Sequence, residues 1–440
     1  MSNLFDPYLT RTYQEDKKFL EQTDVPIITV SATYREDLKR MHGYPDNDTT
    51  PDVVFSRAHY SMAIGAAVQA WGEKLDPQKA WLVDPTNYVS QDKWRSITLT
   101  ETIGKTIARY PLLKTLKDIV DKFGRSKLPI LDSITPPLLY LTQNIDKPIL
   151  SFHIAAGNIL AEQGKTVVQV ITDPHVREEY VTNAAKKTMW YCVFDQHTKI
   201  EFLEKAKLLD IKADPNRIIV TGPPIDPRII AAAEKKKPWK PGKKLKLCLT
   251  TGGLGTNKGE LLSLLEQLLP ELRKHDPKLQ ILVYASTHAD IAEDVTELAQ
   301  AERVKIGTVS DTSADFRLIY HPQIVDANEQ LIKYGFPWAD GFLTKPSGDM
   351  AYDAAISGSF LLTLAEWGEW EERIREIFEQ LGIARTALNE DIMDQLSVLM
   401  TAQKDQDSWI TTAMQNAHKL PKLFNNGNKE ILAVVRKAAK

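Results

Sequence analysis

Three stretches of the chain carry residue types that could do chemistry. The first is Leu247-Cys248-Leu249-Thr250-Thr251-Gly252-Gly253-Leu254-Gly255-Thr256-Asn257, an apolar run, a glycine cluster and then a leucine-rich segment. Strand, glycine turn and helix N-terminus make an anion site, because glycines let the backbone approach phosphate oxygens and the first helical N–H groups point at the charge. The G-x-x-x-x-G-K-[ST] pattern is absent. G-x-G-x-x-G fails because Lys258 stands at its sixth place. A short diphosphate loop built on Gly252, Gly253, Gly255 and Thr256 fits, and so does a tight turn with no ligand.

The second stretch is Gly341-Phe342-Leu343-Thr344-Lys345-Pro346-Ser347-Gly348-Asp349-Met350-Ala351-Tyr352-Asp353. A strand ending at Thr344 leads through a Pro346-Ser347-Gly348 turn to a helix that Asp349 is placed to cap. Lys345 adds a positive charge near a phosphate, and Asp353, one turn in, can accept bonds from ribose hydroxyls. The third is His59, just before the helical pattern Ser61–Lys74. A helix N-terminus lowers an imidazole's pKa, which suits a neutral general base, and a capping or packing histidine is the plain alternative. Asp173, after an apolar run, is placed to orient that base or to touch an acceptor, and a turn-capping aspartate is the plain alternative.

These residues need elements to hold them. Val- and Ile-rich runs at Pro26–Val30, Ala80–Val83, Ile149–Phe152, Thr166–Ile171, Met189–Phe194 and Arg217–Val220 alternate with helical patterns. After a lysine- and proline-rich stretch the alternation restarts at Lys246–Thr250, Gln280–Ala285, Arg303–Ile306, Gly341–Thr344 and Phe360–Leu364. Such alternation predicts βαβ units and mostly parallel sheet. The length, 440 residues, favours two domains. The division expected is an N-terminal Rossmann-like domain at 1–234, an exposed linker at 235–245, a C-terminal Rossmann-like domain at 246–395 and a helical tail at 396–440. The class is α/β, with the two domains facing across a cleft.

The formal charge of −3 leaves no footprint for nucleic acid. Cys192 and Cys248 lie in apolar runs and read as buried free thiols of a reducing compartment. The polar first residues are no signal peptide, and no run approaches a membrane span, which predicts a soluble cytoplasmic protein. Amphipathic helices such as Pro111–Phe123 leave room for peripheral contact with the inner membrane face. Asp46-Asn47-Asp48 and Asp405-Gln406-Asp407 resemble the Asp-x-Asp of metal-dependent glycosyltransferases, but their polar surroundings read as loops, and no metal site is expected. His153, His175 and His197 lack helix-face spacing.

With these residues in view the chain resembles the lipid-type glycosyltransferases of the two-Rossmann GT-B architecture, the group of monogalactosyldiacylglycerol synthase and the peptidoglycan N-acetylglucosaminyltransferase. Lys345-Pro346-Ser347-Gly348 is similar to that family's Lys-x-Gly turn, with Asp353 where a ribose-binding Glu is expected. Thr221-Gly222-Pro223-Pro224-Ile225-Asp226-Pro227 resembles its Gly-x-Pro segment, and Thr172-Asp173-Pro174-His175 its Thr-Asp motif. Ser56-Arg57-Ala58-His59 resembles its Gly-Gly-Gly-His segment with the glycines absent. Gly368-Glu369-Trp370 stands for its sugar-reading Gly-Gln-Glu, so Glu369 would bind sugar hydroxyls. Ala80–Asp84 and Tyr110–Lys114 fit the next strand and helix. The resemblance implies an inverting, metal-independent hexosyltransferase without a resident cofactor. UDP-sugar is the donor, and the acceptor is a hydroxyl of the kind diacylglycerol carries. Two alternatives stand beside it: a UDP-sugar 2-epimerase, and a non-catalytic descendant that binds a nucleotide sugar or a partner.

Overall fold

The computed structural model of the protein describes residues 7–34, 51–89, 93, 98, 129–402, 404 and 406–440. Two compact α/β units result, one of Met1–Asp226 with Asn426–Lys440 and one of Pro227–Asn425.

The strands of the first unit are β1 (Val25–Ile28), β2 (Ala80–Val83), β3 (Ile149–Ser151), β4 (Val167–Val170), β5 (Met189–Val193) and β6 (Ile218–Val220). They form one sheet in the order β2-β1-β3-β4-β5-β6, with every pairing parallel. β4 reads Val-Val-Gln-Val and is buried throughout, as a parallel strand covered on both faces must be. Each fully buried Val, Leu or Ile of this core, such as Ile149, Leu160 and Val167, contributes roughly 1.5–3 kcal/mol. The chain runs from β1 to β2 on one side, whereas β3 pairs with β1 on the other. The loops after β1 and β3 therefore diverge, which opens a crevice at the carboxyl ends of these strands.

The second unit repeats the plan. Its strands are β7 (Leu245–Thr250), β8 (Leu279–Ser286), β9 (Phe316–Tyr320), β10 (Gly341–Thr344), β11 (Phe360–Thr363) and β12 (Ala384–Thr386). Their order is β12-β11-β10-β7-β8-β9, again all parallel. The switch point here lies between β7 and β10.

The expected strands of the first half are all present. In the second half, Arg303–Ile306 is not a strand. Val304 and Ile306 only pack against the core, and Gly307 makes one isolated bridge to Arg317. The edge strand is β9, whose Arg317 interrupts the apolar pattern. Arg317 is 0% exposed, stacks 4.2 Å from the Trp338 ring centroid and donates to Val309 O at 2.8 Å.

The units also divide differently from 1–234, 235–245, 246–395 and 396–440. The boundary falls at Asp226/Pro227. The lysine-rich stretch is docked in the second unit rather than free. Trp239 is 4% exposed, its carbonyl accepts from Thr411 Oγ1 at 2.9 Å, and Lys236 Nζ reaches Ala339 O and Ser359 Oγ. Leu396, Ile410 and Met414 of the tail belong to the second core, as does Ile392 just before it. The last helix, Gly427–Ala438, returns to the first unit. It lies so close that a Cβ on Gly427 would sit 1.8 Å from Pro223 O, and Asn428 Nδ2 donates to Ile225 O at 2.7 Å. Asp46-Asn47-Asp48, Tyr110–Lys114, Pro111–Phe123 and Asp405 lie outside the described residues.

Candidate functional site

In the first unit, Asp84 holds the loop that leaves β1. Its Oδ2 accepts from Ser31 N at 2.6 Å, Ser31 Oγ at 2.8 Å and Ala32 N at 3.0 Å. Its Oδ1 accepts from Thr86 N and Oγ1. Burial pushes the Asp84 carboxyl up, and these bonds oppose that shift. Ser56 then caps the helix Arg57–Trp71, accepting from His59 N at 3.3 Å. His59 is thereby the third residue of the helix. Its Nε2 is 3.4 Å from Thr172 Oγ1, which is itself 3.4 Å from Tyr180 Oη.

His153 comes to the same place from β3. It is the N-cap of the helix Ile154–Glu162. Ser151 brackets it, with its Oγ donating to His153 O at 2.9 Å. Gly157 lets that helix close on the sheet, since a Cβ there would lie 1.8 Å from Gln169 Oε1. The His59 and His153 rings meet edge to face, with centroids 5.2 Å apart and planes at 85°. Burial pushes the His153 imidazole well below the usual 6.5, and the charges of His59 and Arg177 push the same way. The switch point thus brings together two histidines, only one of which is singled out by sequence. His153 had no spacing signal, because its partner arrives from another strand 94 residues earlier.

Asp173 follows Thr172 in the loop after β4, half-buried. Its charge acts on Tyr180, while the side chain that meets His59 Nε2 is Thr172. Glu201 pins this loop. Its carboxylate accepts from Val176 N at 3.0 Å and pairs with His175 Nδ1 at 2.9 Å and Lys205 Nζ at 3.2 Å. Burial pushes Glu201 up, but these partners outweigh it and hold it below the usual carboxylate range.

In the second unit, Thr250 Oγ1 donates to Thr344 Oγ1 at 2.7 Å and ties the ends of β7 and β10. The glycine loop that follows β7 is folded on itself. Gly252 N donates to Thr256 O at 3.2 Å, and Gly255 N to Gly252 O at 2.8 Å. Gly255 needs its left-handed φ of +74°, and Asn257, the N-cap of the helix Lys258–Leu268, takes +64°. A Cβ on Gly252 would lie 1.8 Å from Thr256 Oγ1 and 3.2 Å from Lys345 Cδ. The hydroxyls of Thr251 and Thr256 are buried and find no hydrogen-bond partner among the described residues. Such orphaned groups cost free energy unless something satisfies them. Gly253 is the exposed tip of the loop.

Lys345 therefore meets the loop, but its ammonium is engaged. Nζ lies 2.6 Å from Glu371 Oε1 and 5.8 Å from the Trp367 ring centroid. Glu371 Oε2 also accepts from Trp367 N at 2.6 Å. Glu371 lies among acidic neighbours, yet its side chain is buried, 2% exposed. Glu369 is the exposed residue, in the first turn of the helix Glu369–Gln380. The helix Met350–Ile356 starts at Asp349, yet its cap is Ser347, whose Oγ accepts from Met350 N at 3.2 Å and donates to Asp349 Oδ1 at 2.7 Å. Gly348 is buried in this turn, and Asp353 is 5% exposed one turn on.

Among the described residues, no cluster of three His, Cys, Asp or Glu is close enough to hold a metal ion. None of their helices is long and apolar enough to cross a membrane.

The chain matches no protein-family model and no curated protein sequence. Solved structures do resemble it. The UDP-GlcNAc 2-epimerase from Neisseria meningitidis bound to UDP-GlcNAc is 11% identical, with a TM-score of 0.52 over 94% of this chain and 100% of that one. MnaA of S. aureus with UDP is 12% identical, at 0.50 over 93% and 95%. A variant of Os79 from O. sativa in complex with UDP is 9% identical, at 0.50 over 94% and 100%. The shared feature is the fold: two Rossmann-like units on six-stranded parallel sheets, the GT-B architecture. The likeness does not single out the diacylglycerol group within it.

Proposed function

We propose that this chain binds a UDP-sugar in its second unit and moves the sugar to a hydroxyl acceptor, with inversion and without a metal. The observation that carries the reading is the meeting of the Gly252 loop with Lys345 at the β7/β10 switch point, where ligands of such sheets bind. Backbone N–H groups of the loop and the Thr251 and Thr256 hydroxyls take the diphosphate, and Asp353 takes the ribose. Lys345, Ser347 and Gly348 form the opposite wall, and Glu369 reads the sugar. The first unit supplies the base. His59 takes the acceptor's proton as the acceptor oxygen bonds to the anomeric carbon, and the carbon–phosphate oxygen bond breaks with its electron pair leaving on UDP. Asp173 and Thr172 border the acceptor, for which diacylglycerol is the first candidate, and a peripheral contact at the cytoplasmic membrane face would deliver it.

A second reading, UDP-sugar 2-epimerase, is favoured by the similarity to the UDP-GlcNAc 2-epimerase structure bound to UDP-GlcNAc. Thermal-shift titration with UDP, GDP, ADP, TDP and NAD tests what both share, since a ligand of the folded state must raise its stability. UDP alone is expected to stabilise the protein. No shift with any nucleotide overturns both readings and leaves a descendant without donor binding. NMR of UDP-GlcNAc incubated with the protein separates them: epimerisation of the sugar without an acceptor favours the second, and acceptor-dependent release of UDP the first.

A further inference from the structure

We propose that His59 and His153 act as one proton-accepting dyad, in which the pair takes up a single proton, His59 carries it, and His153 positions the ring that receives it. The proposal deepens the reading of His59 as a base and rests on it for its role in turnover. Its structural basis is independent of that reading. Two strands that part at a switch point deliver both rings to one spot, 5.2 Å apart and edge to face. Two imidazolium charges at that distance in a half-buried site repel strongly, so the second proton is excluded. The asymmetry comes from the surroundings. His59 Nε2 has the Thr172 hydroxyl beside it, whereas the Arg177 charge acts against protonation of His153. The groups that face His153 are His59, from the helix after β1, and Arg177, from the loop after β4. Arg177 and Asp173 also act on Tyr180, which completes the wall. Both cations disfavour charge on His153, so the proton settles on His59. A neutral His153 ring against the edge or face of His59 then fixes its orientation without competing for the acceptor's proton.

The test is a pH titration of the full chain labelled with ¹⁵N-histidine, which needs no substrate. In the wild type, one of the two rings is expected to titrate between pH 5 and 8 while His153 stays neutral. In His59→Gln, and in His59→Asn as a second variant should the first fold poorly, the His153 midpoint is expected to rise by about one unit, because a repelling charge is gone. An unchanged His153 midpoint in the folded variant overturns the dyad. Turnover supplies the second readout. His153→Ala is expected to lower kcat about tenfold with KM little changed, and His153→Phe, which keeps the ring, to recover most of the loss. Full activity in His153→Ala overturns the positioning role. A wild type that titrates as a dyad but transfers no sugar sinks the transferase reading and leaves the dyad standing.

Discussion

The two switch points of this molecule are built from the same topology and in opposite ways. At β7/β10 the backbone does the work. Glycines are packed so tightly that a Cβ on Gly252 has no room, and one turn of chain supplies most of the contacts. At β1/β3 the side chains do it, with His59, His153 and Thr172 converging from the segments that follow three separate strands. A backbone site is intolerant of bulk and indifferent to titration, whereas a side-chain site tolerates bulk and depends on protonation.

The sharpest way to break that contrast is Gly252→Ala. The new methyl overlaps Thr256 Oγ1 and crowds the Lys345 stem, and such overpacking costs about 1–3 kcal/mol. The cost falls on the loop that would receive the diphosphate, so UDP affinity is expected to drop by up to about 100-fold, read as loss of the UDP-induced thermal shift. Gly259→Ala, seven residues on in the helix where a Cβ meets nothing within 4 Å, should keep the shift and gain stability from better helix propensity. If Gly252→Ala binds UDP normally, the backbone account of this site is wrong.

That difference also explains what was legible in the residues alone. The glycine cluster and the Lys345 turn are contiguous, so their spacing survives in one dimension. The buried parallel strands read as apolar runs for the same reason. His153 was passed over because its meaning lies in a neighbour 94 positions away. β9 is not legible because Arg317, stacked on Trp338 and bonded to Val309 O, sits in its middle. The lysine run hid the anchoring of Trp239, since six lysines outweigh one tryptophan in any reading of composition. Glu371 was hidden likewise, one buried carboxylate among several exposed ones.

Glu371 gives the next smaller effect and sharpens the comparison from the other side of the loop. With Lys345 it makes this site depend on side-chain charge as well as on backbone. Glu371→Gln keeps the shape and an acceptor for Trp367 N but removes the charge that pairs with Lys345 at 2.6 Å. Hydrogen bonds to charged groups are worth about 1.5–3 kcal/mol, so a loss of about 2 kcal/mol is expected in chemical denaturation. UDP should recover part of it, because its phosphates offer Lys345 a new partner. A variant as stable as the wild type would mean that the pair is not held as the geometry has it.

The smallest effect belongs to the opposite, amino-terminal edge of the same sheet, where titration governs after all. Lys236 is buried with its ammonium on Ala339 O, Ser357 Oγ and Ser359 Oγ. Burial pushes it down from 10.5 to about 7, with Asp340 and Cys248 opposing and Lys246 assisting. Burial likewise pushes Asp340 up from 3.8 to about 6. The signs follow from proton counts. Between pH 4 and 6 the folded state binds the extra proton on Asp340, which lowers stability as pH rises, while the depressed His153 and His418 imidazoles, protonated in the unfolded state, work the other way. Above pH 7 the unfolded state binds the extra proton, on Lys236, and stability rises as pH rises. Above the usual thiol value of 9 the buried cysteines, pushed up by burial, begin to oppose that rise. Thermal melts should therefore climb by about 1–2 kcal/mol between pH 7 and 9. That corresponds to a few degrees for a unit of this size. In Lys236→Met the climb between pH 7 and 9 should vanish. A climb that survives the substitution would assign it to another group, and the amino-terminal edge would then be as indifferent to protonation as the glycine loop at the other end of the sheet.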